Sequence, residues 1–124
     1  MTAVVDTSVL IDYLRGDERA RDVLQRERAA APLHASEITR LEVLAGMRAG
    51  EEAGTLGLLS VLIWHPVDQE IAEEAGALGR RWLPSHRIDA ADLAIAATAL
   101  SLGARLLTRN VRHFPMLADL QAPY

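Results

Sequence analysis

The chain has 124 residues, 50% of them hydrophobic and 24% charged, which is enough for one domain with its own core. It contains no cysteine and no lysine, because all 13 basic residues are arginine. Disulfides, zinc ribbons, thiol catalysis, P-loop nucleotide binding and Schiff-base chemistry are therefore excluded. The eight glycines never form the G-x-G pattern of a dinucleotide site.

The predicted elements alternate between short apolar strands and helices. Ala3–Val5 is predicted to be a buried strand, and the apolar residues after Asp6 recur at helical spacing until Gly16. The later predicted elements are a helix from Glu18 to about Ala30, a strand at Leu33–Ala35, a helix from Ser36 to about Ala49, a helix within 51–62, a strand at Leu62–Val67, a helix from Asp68 to about Trp82, a helix at Ile88–Leu102, a strand at Ala104–Thr108, and a turn leading into a short helix over 110–117.

Strands separated by helices predict an α/β fold with a central, mainly parallel sheet of four to five short strands between layers of helices. No repeat, low-complexity tract or linker interrupts the sequence, so we expect one domain over residues 1–124. The sequence shows no signal peptide, and no apolar run reaches the roughly 20 residues of a membrane span. We therefore expect a cytoplasmic protein without a membrane partner.

The net charge of −4 conceals an asymmetry along the chain. Residues 1–74 carry 7 Arg against 14 Asp and Glu, whereas residues 75–124 carry 6 Arg against 3 Asp. The C-terminal part is therefore net basic and could contact nucleic acid. Ordinary solvated helix faces explain the same charges equally well.

Three acidic residues are predicted to meet at the carboxyl edge of the sheet. Asp6 follows the first strand, Glu42 lies one helical turn beyond the second, and Asp92 opens the helix that precedes the last strand. Functional groups in parallel α/β sheets gather at this edge. Carboxylates that converge among apolar neighbours repel one another unless they are neutralised, and their oxygens suit Mg²⁺ or Mn²⁺.

Each acidic residue also has a purely structural interpretation. Asp6 can cap the helix that follows it, since Asp is a favoured N-cap. The pairs Thr39–Glu42 and Asp89–Asp92 both fit a capping-box spacing. The four histidines show no metal-binding spacing, and we interpret them as scattered surface or core residues.

Three segments resemble PIN-domain ribonucleases, and their order and the chain length resemble the VapC-type toxins of bacterial toxin–antitoxin pairs. The segments are DTSVLIDYL from Asp6, SEITRLEVLAG from Ser36, and IDAADLAIAATAL from Ile88 running into GARLLTRNVRHF from Gly103. The resemblance spans essentially the whole chain. It implies a PIN-like sandwich and a Mg²⁺-dependent endoribonuclease in which Mn²⁺ can replace Mg²⁺. It also implies a homodimer and a VapB-type antitoxin as partner.

The resemblance assigns the metal-binding acids to Asp6, Glu42 and Asp92. A fourth catalytic position, often Asp in the family, is Asn110 here, which puts a second tightly bound metal ion in doubt. Thr7, Ser8, Thr108 and Asp89 are expected to support these residues from nearby. The arginines that we expect to contact RNA phosphates are Arg80, Arg81, Arg87, Arg109 and Arg112.

The expected reaction is hydrolysis of an RNA phosphodiester by a metal-activated water, with a tRNA, rRNA or mRNA as the substrate. Two alternatives remain open. One is a catalytically silent PIN-like module that binds RNA or protein, with Asn110 marking the lost activity. The other is a metal-dependent phosphatase for small phosphoesters. Three intact acids argue against the first, and the absence of a D-x-D nucleophile motif argues against the second.

Overall fold

The computed structural model describes residues 2–124 and has the alternating α/β order predicted from the sequence. Its elements, in chain order, are β1 (Ala3–Val5), α1 (Thr7–Leu14), α2 (Glu18–Ala30), β2 (Leu33–Ser36), α3 (Glu37–Ala45), α4 (Glu52–Leu59), β3 (Ile63–His65), α5 (Gln69–Trp82), α6 (Ala90–Ser101), β4 (Arg105–Leu107) and one 3-10 turn (Val111–His113).

Within the described residues, the sheet has four parallel strands in the order β3-β2-β1-β4. Strand β1 lies inside the sheet, where Ala3 pairs with Leu33 on one side and with Arg105 on the other. All three residues of β1 are buried. The predicted parallel α/β fold is therefore confirmed, and continuous apolar runs are what strands covered on both faces require.

Helices cover both faces of the sheet and make a three-layer arrangement. Because successive strand residues point to opposite faces, Val5 packs with Val9 and Leu10 of α1, whereas Val4 packs with Ile95 of α6. Helix α5 packs on α6, where Ile71 and Ala75 of α5 meet Leu93 and Ala97 of α6. No helix in residues 2–124 has both the length and the apolar character needed to cross a bilayer.

Several predicted boundaries are wrong by a few residues. Helix α3 ends at Ala45, not near Ala49, with Gly46 at its C-cap. Strand β3 stops at His65, and the following Pro66 has no N–H for a further ladder bond. The helix expected over 110–117 is one 3-10 turn, after which the buried Phe114 packs into the cluster beneath α6.

Helix α6 and strand β4 are also shorter than predicted. Helix α6 begins at Ala90 and ends at Ser101, and β4 covers only Arg105–Leu107. Gly103, at φ +60°, separates the two elements. This left-handed conformation suits glycine, so the predicted helix stop is confirmed.

Two histidines form a pair across β2 and β3, contrary to the expectation that all four are scattered. His34 Nδ1 lies 2.8 Å from His65 Nε2, and the ring centroids are 5.0 Å apart. Burial lowers the pKa of His34, and the neighbouring His65 lowers it further. The two histidines are 31 residues apart in sequence, so no local pattern indicates the pair. The parallel pairing of β2 with β3 brings them together.

We predict that the His34–His65 pair makes folding sensitive to pH. The folded-state pKa of His34 lies below its unfolded value of about 6.5, so the unfolded chain binds the proton more readily. The contribution of His34 to the free energy of unfolding should therefore become less favourable as the pH drops below about 6.5. Chemical denaturation at about pH 7.5 and 5.5 should show a larger loss for wild type than for His34→Gln. Equal losses in both proteins would contradict this prediction.

Candidate metal centre

Asp6 stands where β1 ends and α1 begins, and it is 3% exposed. Its Oδ2 accepts hydrogen bonds from Ser8 Oγ at 2.7 Å and from Thr108 Oγ1 at 2.8 Å. Ser8 N also approaches Oδ2, at 3.4 Å, so Asp6 is the N-cap of α1. The capping interpretation is therefore correct, and Thr108 additionally ties this carboxylate to the end of β4.

The second oxygen of Asp6 is left available to a ligand. Among residues 2–124, no group donates a hydrogen bond to Oδ1 of Asp6, whereas every fully buried side-chain oxygen or nitrogen has a partner. Oδ1 is therefore reached by solvent although the residue as a whole is buried. Oδ2 thus accepts hydrogen bonds from Ser8 and Thr108, whereas Oδ1 is accessible to solvent.

Glu42 reaches the same region from α3. Ser36 caps α3 by accepting from Ile38 N, so the capping box predicted for Thr39 and Glu42 is wrong. Glu42 Oε1 instead accepts a hydrogen bond from Thr7 Oγ1 at 2.7 Å. Thr7 Oγ1 also lies 3.1 Å from the buried Thr39 Oγ1. The two threonines thus connect the start of α1 to Glu42.

Asp92 enters from the first turn of α6, and its side chain is 14% exposed. Burial raises the pKa of Asp92 to about 6, and the negative charges of Asp6, Asp89 and Glu42 act in the same direction. His113 opposes them, because its Nδ1 lies 3.0 Å from Asp92 Oδ2. Asp92 therefore lies where the charges of Asp6, Asp89 and Glu42 act on it.

Asp89 occupies the N-cap position of α6, but its side chain makes no capping hydrogen bond and is exposed. The capping box predicted for Asp89 and Asp92 is therefore wrong as well. Within the described part of the chain, no three His, Asp or Glu side chains stand close enough together to hold an ion as they are placed. Asp6 and Glu42 each accept a hydrogen bond through one oxygen, and one oxygen of Asp92 lies against the His113 ring.

The fourth expected position, Asn110, lies beside the acids and not among them. Its backbone N donates to Thr108 Oγ1 at 3.0 Å, and its exposed side chain lines a pocket together with Ser8 and Arg109. The arginines expected to contact phosphates are all exposed. Arg80 and Arg81 lie in the last turn of α5, Arg87 in the connector before α6, Arg109 directly after β4, and Arg112 in the 3-10 turn.

Two residues near the acids were not predicted from the sequence. His113 contacts Asp92, and Asp12 forms an ion pair with Arg109 at 2.9 Å. Asp12 follows Ser8 by four residues and therefore shares its face of α1, a spacing that could have indicated a role near the site. His113 has no such local pattern, because the irregular segment after β4 brings it to α6.

Comparison with known proteins identifies the class to which this arrangement belongs. Residues 3–120 match the model of the PIN domain. Ribonuclease VapC19 of Mycobacterium tuberculosis is 45% identical over 123 residues, which cover 98% of each chain. Ribonuclease VapC10 of the same organism is 41% identical over 122 residues, which cover 98% of this chain and 92% of the other.

A chain in a toxin–antitoxin complex from Klebsiella pneumoniae superposes with a TM-score of 0.82 at 29% identity, covering 99% of this chain and 98% of the other. This chain belongs to the PIN-domain family. The resemblance found in the three sequence segments is confirmed over nearly the whole length.

We predict that Asp92→Asn stabilises the metal-free protein at neutral pH. The pKa of Asp92 is about 6 in the folded state and 3.8 when unperturbed, so ionisation above pH 6 favours unfolding. Asparagine should raise the free energy of unfolding by about 1–2 kcal/mol, or Tm by about 4–8 °C. Thermal unfolding in EDTA measures this change.

The gain from Asp92→Asn should shrink as the pH falls from about 6 to 4, because the folded wild type is then increasingly protonated. Asp6→Ala provides the contrast, since it removes a cap and the bond from Thr108 and should cost about 1–2 kcal/mol. A loss of stability in Asp92→Asn at neutral pH would contradict the prediction.

Proposed function

We propose that this protein is the toxin of a type II toxin–antitoxin pair and acts as a Mg²⁺-dependent endoribonuclease. The observation that carries the proposal is the buried Asp6, which Ser8 and Thr108 hold through Oδ2 while no protein group bonds to Oδ1 among the described residues. The half-buried Asp92 supports it, because burial and the charges of Asp6 and Glu42 raise its pKa to about 6. Relatives of 45% and 41% identity are named ribonucleases, and a similar chain is part of a toxin–antitoxin complex.

The donor set fits a small divalent cation. Asp6 Oδ1, Glu42 and Asp92 offer hard carboxylate oxygens, which Mg²⁺ and Mn²⁺ prefer. A cation relieves the repulsion that raises the pKa of Asp92, so its binding should be favourable. We infer that Asp6 and Asp92 hold the ion directly, after Asp92 turns away from His113. Thr7, Ser8 and Thr108 hold the surrounding carboxylates in place.

This chain's own residues divide the work of the reaction. Glu42, oriented by Thr7, accepts a proton from the water that attacks the phosphorus. Ser8 and Thr108 fix the Asp6 carboxylate at the end of β1, where its Oδ1 would bind the ion. When bound, the ion supplies Lewis-acid stabilisation of charge on the phosphate oxygens. Water attacks the phosphorus in place of the 2′-hydroxyl, the P–O3′ bond breaks, and the departing 3′-oxygen takes a proton from solvent, so the products are a 5′-phosphate and a 3′-hydroxyl.

The proposed partners follow from the same assignment. RNA is the substrate, whether tRNA, rRNA or mRNA, and the exposed Arg80, Arg81, Arg87 and Arg112 supply phosphate contacts. A VapB-type antitoxin would restrain the nuclease, and a second copy of the chain would complete a homodimer. An arginine from the antitoxin is well suited to the acidic site, because a guanidinium forms forked bonds with carboxylates.

The two alternative functions have less support. A silent RNA- or protein-binding module has no need to keep the half-buried Asp92 next to like charges, since that arrangement destabilises the fold. A small-molecule phosphatase that uses an aspartyl nucleophile needs a second Asp two residues after Asp6, and that position is Ser8. Ser8 instead holds the Asp6 carboxylate.

Cleavage of RNA by the purified protein tests the proposal. We expect cleavage with Mg²⁺ and none with EDTA, and a loss of at least about 100-fold in rate for Asp92→Asn. Asp22→Asn is the matched control, because Asp22 is an exposed acid on α2. Gel analysis of a total RNA mixture gives the rates. Equal cleavage by wild type and Asp92→Asn would overturn the assignment of the site.

Position 110 gives a separate prediction about the ion. Asn110→Asp adds a fourth carboxylate near Thr108 and should tighten Mn²⁺ binding by about three- to tenfold. Gln121→Glu adds the same charge elsewhere on the surface and serves as the control. Calorimetric titration of the metal-free proteins measures the affinities. An affinity unchanged from wild type would place residue 110 beyond the reach of the ion.

A further inference from the structure

Arg109 is held in a fixed position by residues from both ends of the chain. Its Nη1 donates to Asp12 Oδ2 at 2.9 Å, and Tyr124 Oη donates to the same oxygen at 2.7 Å. Burial raises the pKa of Tyr124, and the bond to Asp12 raises it further, so the phenol remains a donor. The guanidinium carbons of Arg19 and Arg109 also lie 5.3 and 5.5 Å from the centroid of the Tyr124 ring.

This arrangement borders a pocket of about 350 Å³ next to the candidate metal centre. The pocket is lined by Ser8, Ile11, Asp12, Arg109 and Asn110. Ser8 is shared with the metal centre, because its Oγ donates to Asp6 Oδ2 and accepts from Arg109 N at 3.2 Å. Whatever occupies the pocket therefore lies directly beside the carboxylate that we assign to the ion.

The polar groups of the pocket are only partly used by the protein. Within residues 2–124, Arg109 Nε and Nη2 and the side-chain amide of Asn110 make no hydrogen bond. The charge of Arg109 is already balanced by Asp12, so the pocket has little net attraction for a phosphate. It offers instead a flat guanidinium for stacking, a donor and acceptor pair on Asn110, and the apolar Ile11 as a wall.

We propose that this pocket is a subsite for one unpaired nucleotide of the RNA, next to the bond that is cut. The inference rests on the proposed ribonuclease function. A base stacks on the Arg109 guanidinium and its edge bonds to Asn110, as single-stranded RNA is commonly recognised. Asp12 and Tyr124 are positioning residues that hold the guanidinium plane. A paired base is excluded, because its edge is engaged and it is stacked within the duplex.

Binding of RNA to the Asp92→Asn protein tests the subsite, since Asp92 does not line the pocket and the RNA should stay intact. The probes are a fluorescein-labelled single strand of about 12 nucleotides and the same strand annealed to its complement. Arg109→Lys keeps the charge but loses the stacking plane. We expect it to weaken single-strand binding by about tenfold and to leave duplex binding unchanged within about twofold. Fluorescence anisotropy gives both dissociation constants.

For the positioning residue Asp12, the change in RNA affinity that we expect is opposite to the change that its charge alone would cause. Asp12→Asn removes a negative charge, which by itself should strengthen RNA binding, yet we expect single-strand binding to weaken several-fold. Glu37→Gln is the matched control, because Glu37 pairs with Arg40 on α3 away from the pocket. In the protein with Asp92 intact, Tyr124→Phe should raise KM several-fold and leave kcat unchanged.

The outcomes separate the subsite from the proposed function. Equal weakening of single-strand and duplex binding in Arg109→Lys, or no weakening of either, would overturn the subsite in an enzyme that still cleaves RNA. Tighter binding by Asp12→Asn would overturn its positioning role and, with it, the preorganised subsite. A wild-type protein that cleaves no RNA with Mg²⁺ would overturn the proposed function, whatever the binding results for Arg109.

Discussion

The hydrogen bonds to Asp6 Oδ2 join the parts of the fold on which the site depends. Asp6 follows β1, and its Oδ2 accepts hydrogen bonds from Ser8 at the start of α1 and from Thr108 at the end of β4. Because Asp6 N also donates to Leu107 O at 2.9 Å, the ladder between β1 and β4 continues to this residue. The same side chain thus stabilises the fold through one oxygen and leaves the other accessible to solvent.

The site is a place where stability and function oppose one another. A domain with an apolar core gains nothing from bringing Asp92 close to Asp6 and Glu42, and the raised pKa of Asp92 reflects the cost. The protein limits that cost locally by giving Asp92 a contact with His113 and Glu42 a bond from Thr7. The divalent ion that we propose would neutralise these carboxylates more fully than His113 and Thr7 do.

All the basic residues of this chain other than histidine are arginines. The planar guanidinium lets an arginine form an ion pair and lie against an aromatic ring at the same time. Arg109 lies against Tyr124 while it pairs with Asp12, and Arg40 lies over Trp64 while it pairs with Glu37. A lysine cannot combine a directional ion pair with stacking in this way. On the surface such pairs contribute little stability, so the pair at Arg109 matters for its position beside the metal centre.

The sequence by itself determined the parallel α/β fold, because apolar periodicity is a local signal, and it predicted from the carboxyl-edge rule that Asp6, Glu42 and Asp92 lie at one edge of the sheet. It missed His113, the His34–His65 pair and the bonds of Tyr124 to Asp12. Those contacts join residues 21, 31 and 112 positions apart, through strand register and irregular segments. It also placed the end of α3 too late and left capping boxes open as an alternative role for Glu42 and Asp92. Only the tertiary structure decided these points, because burial and neighbouring charges, not local spacing, select each side chain's partner.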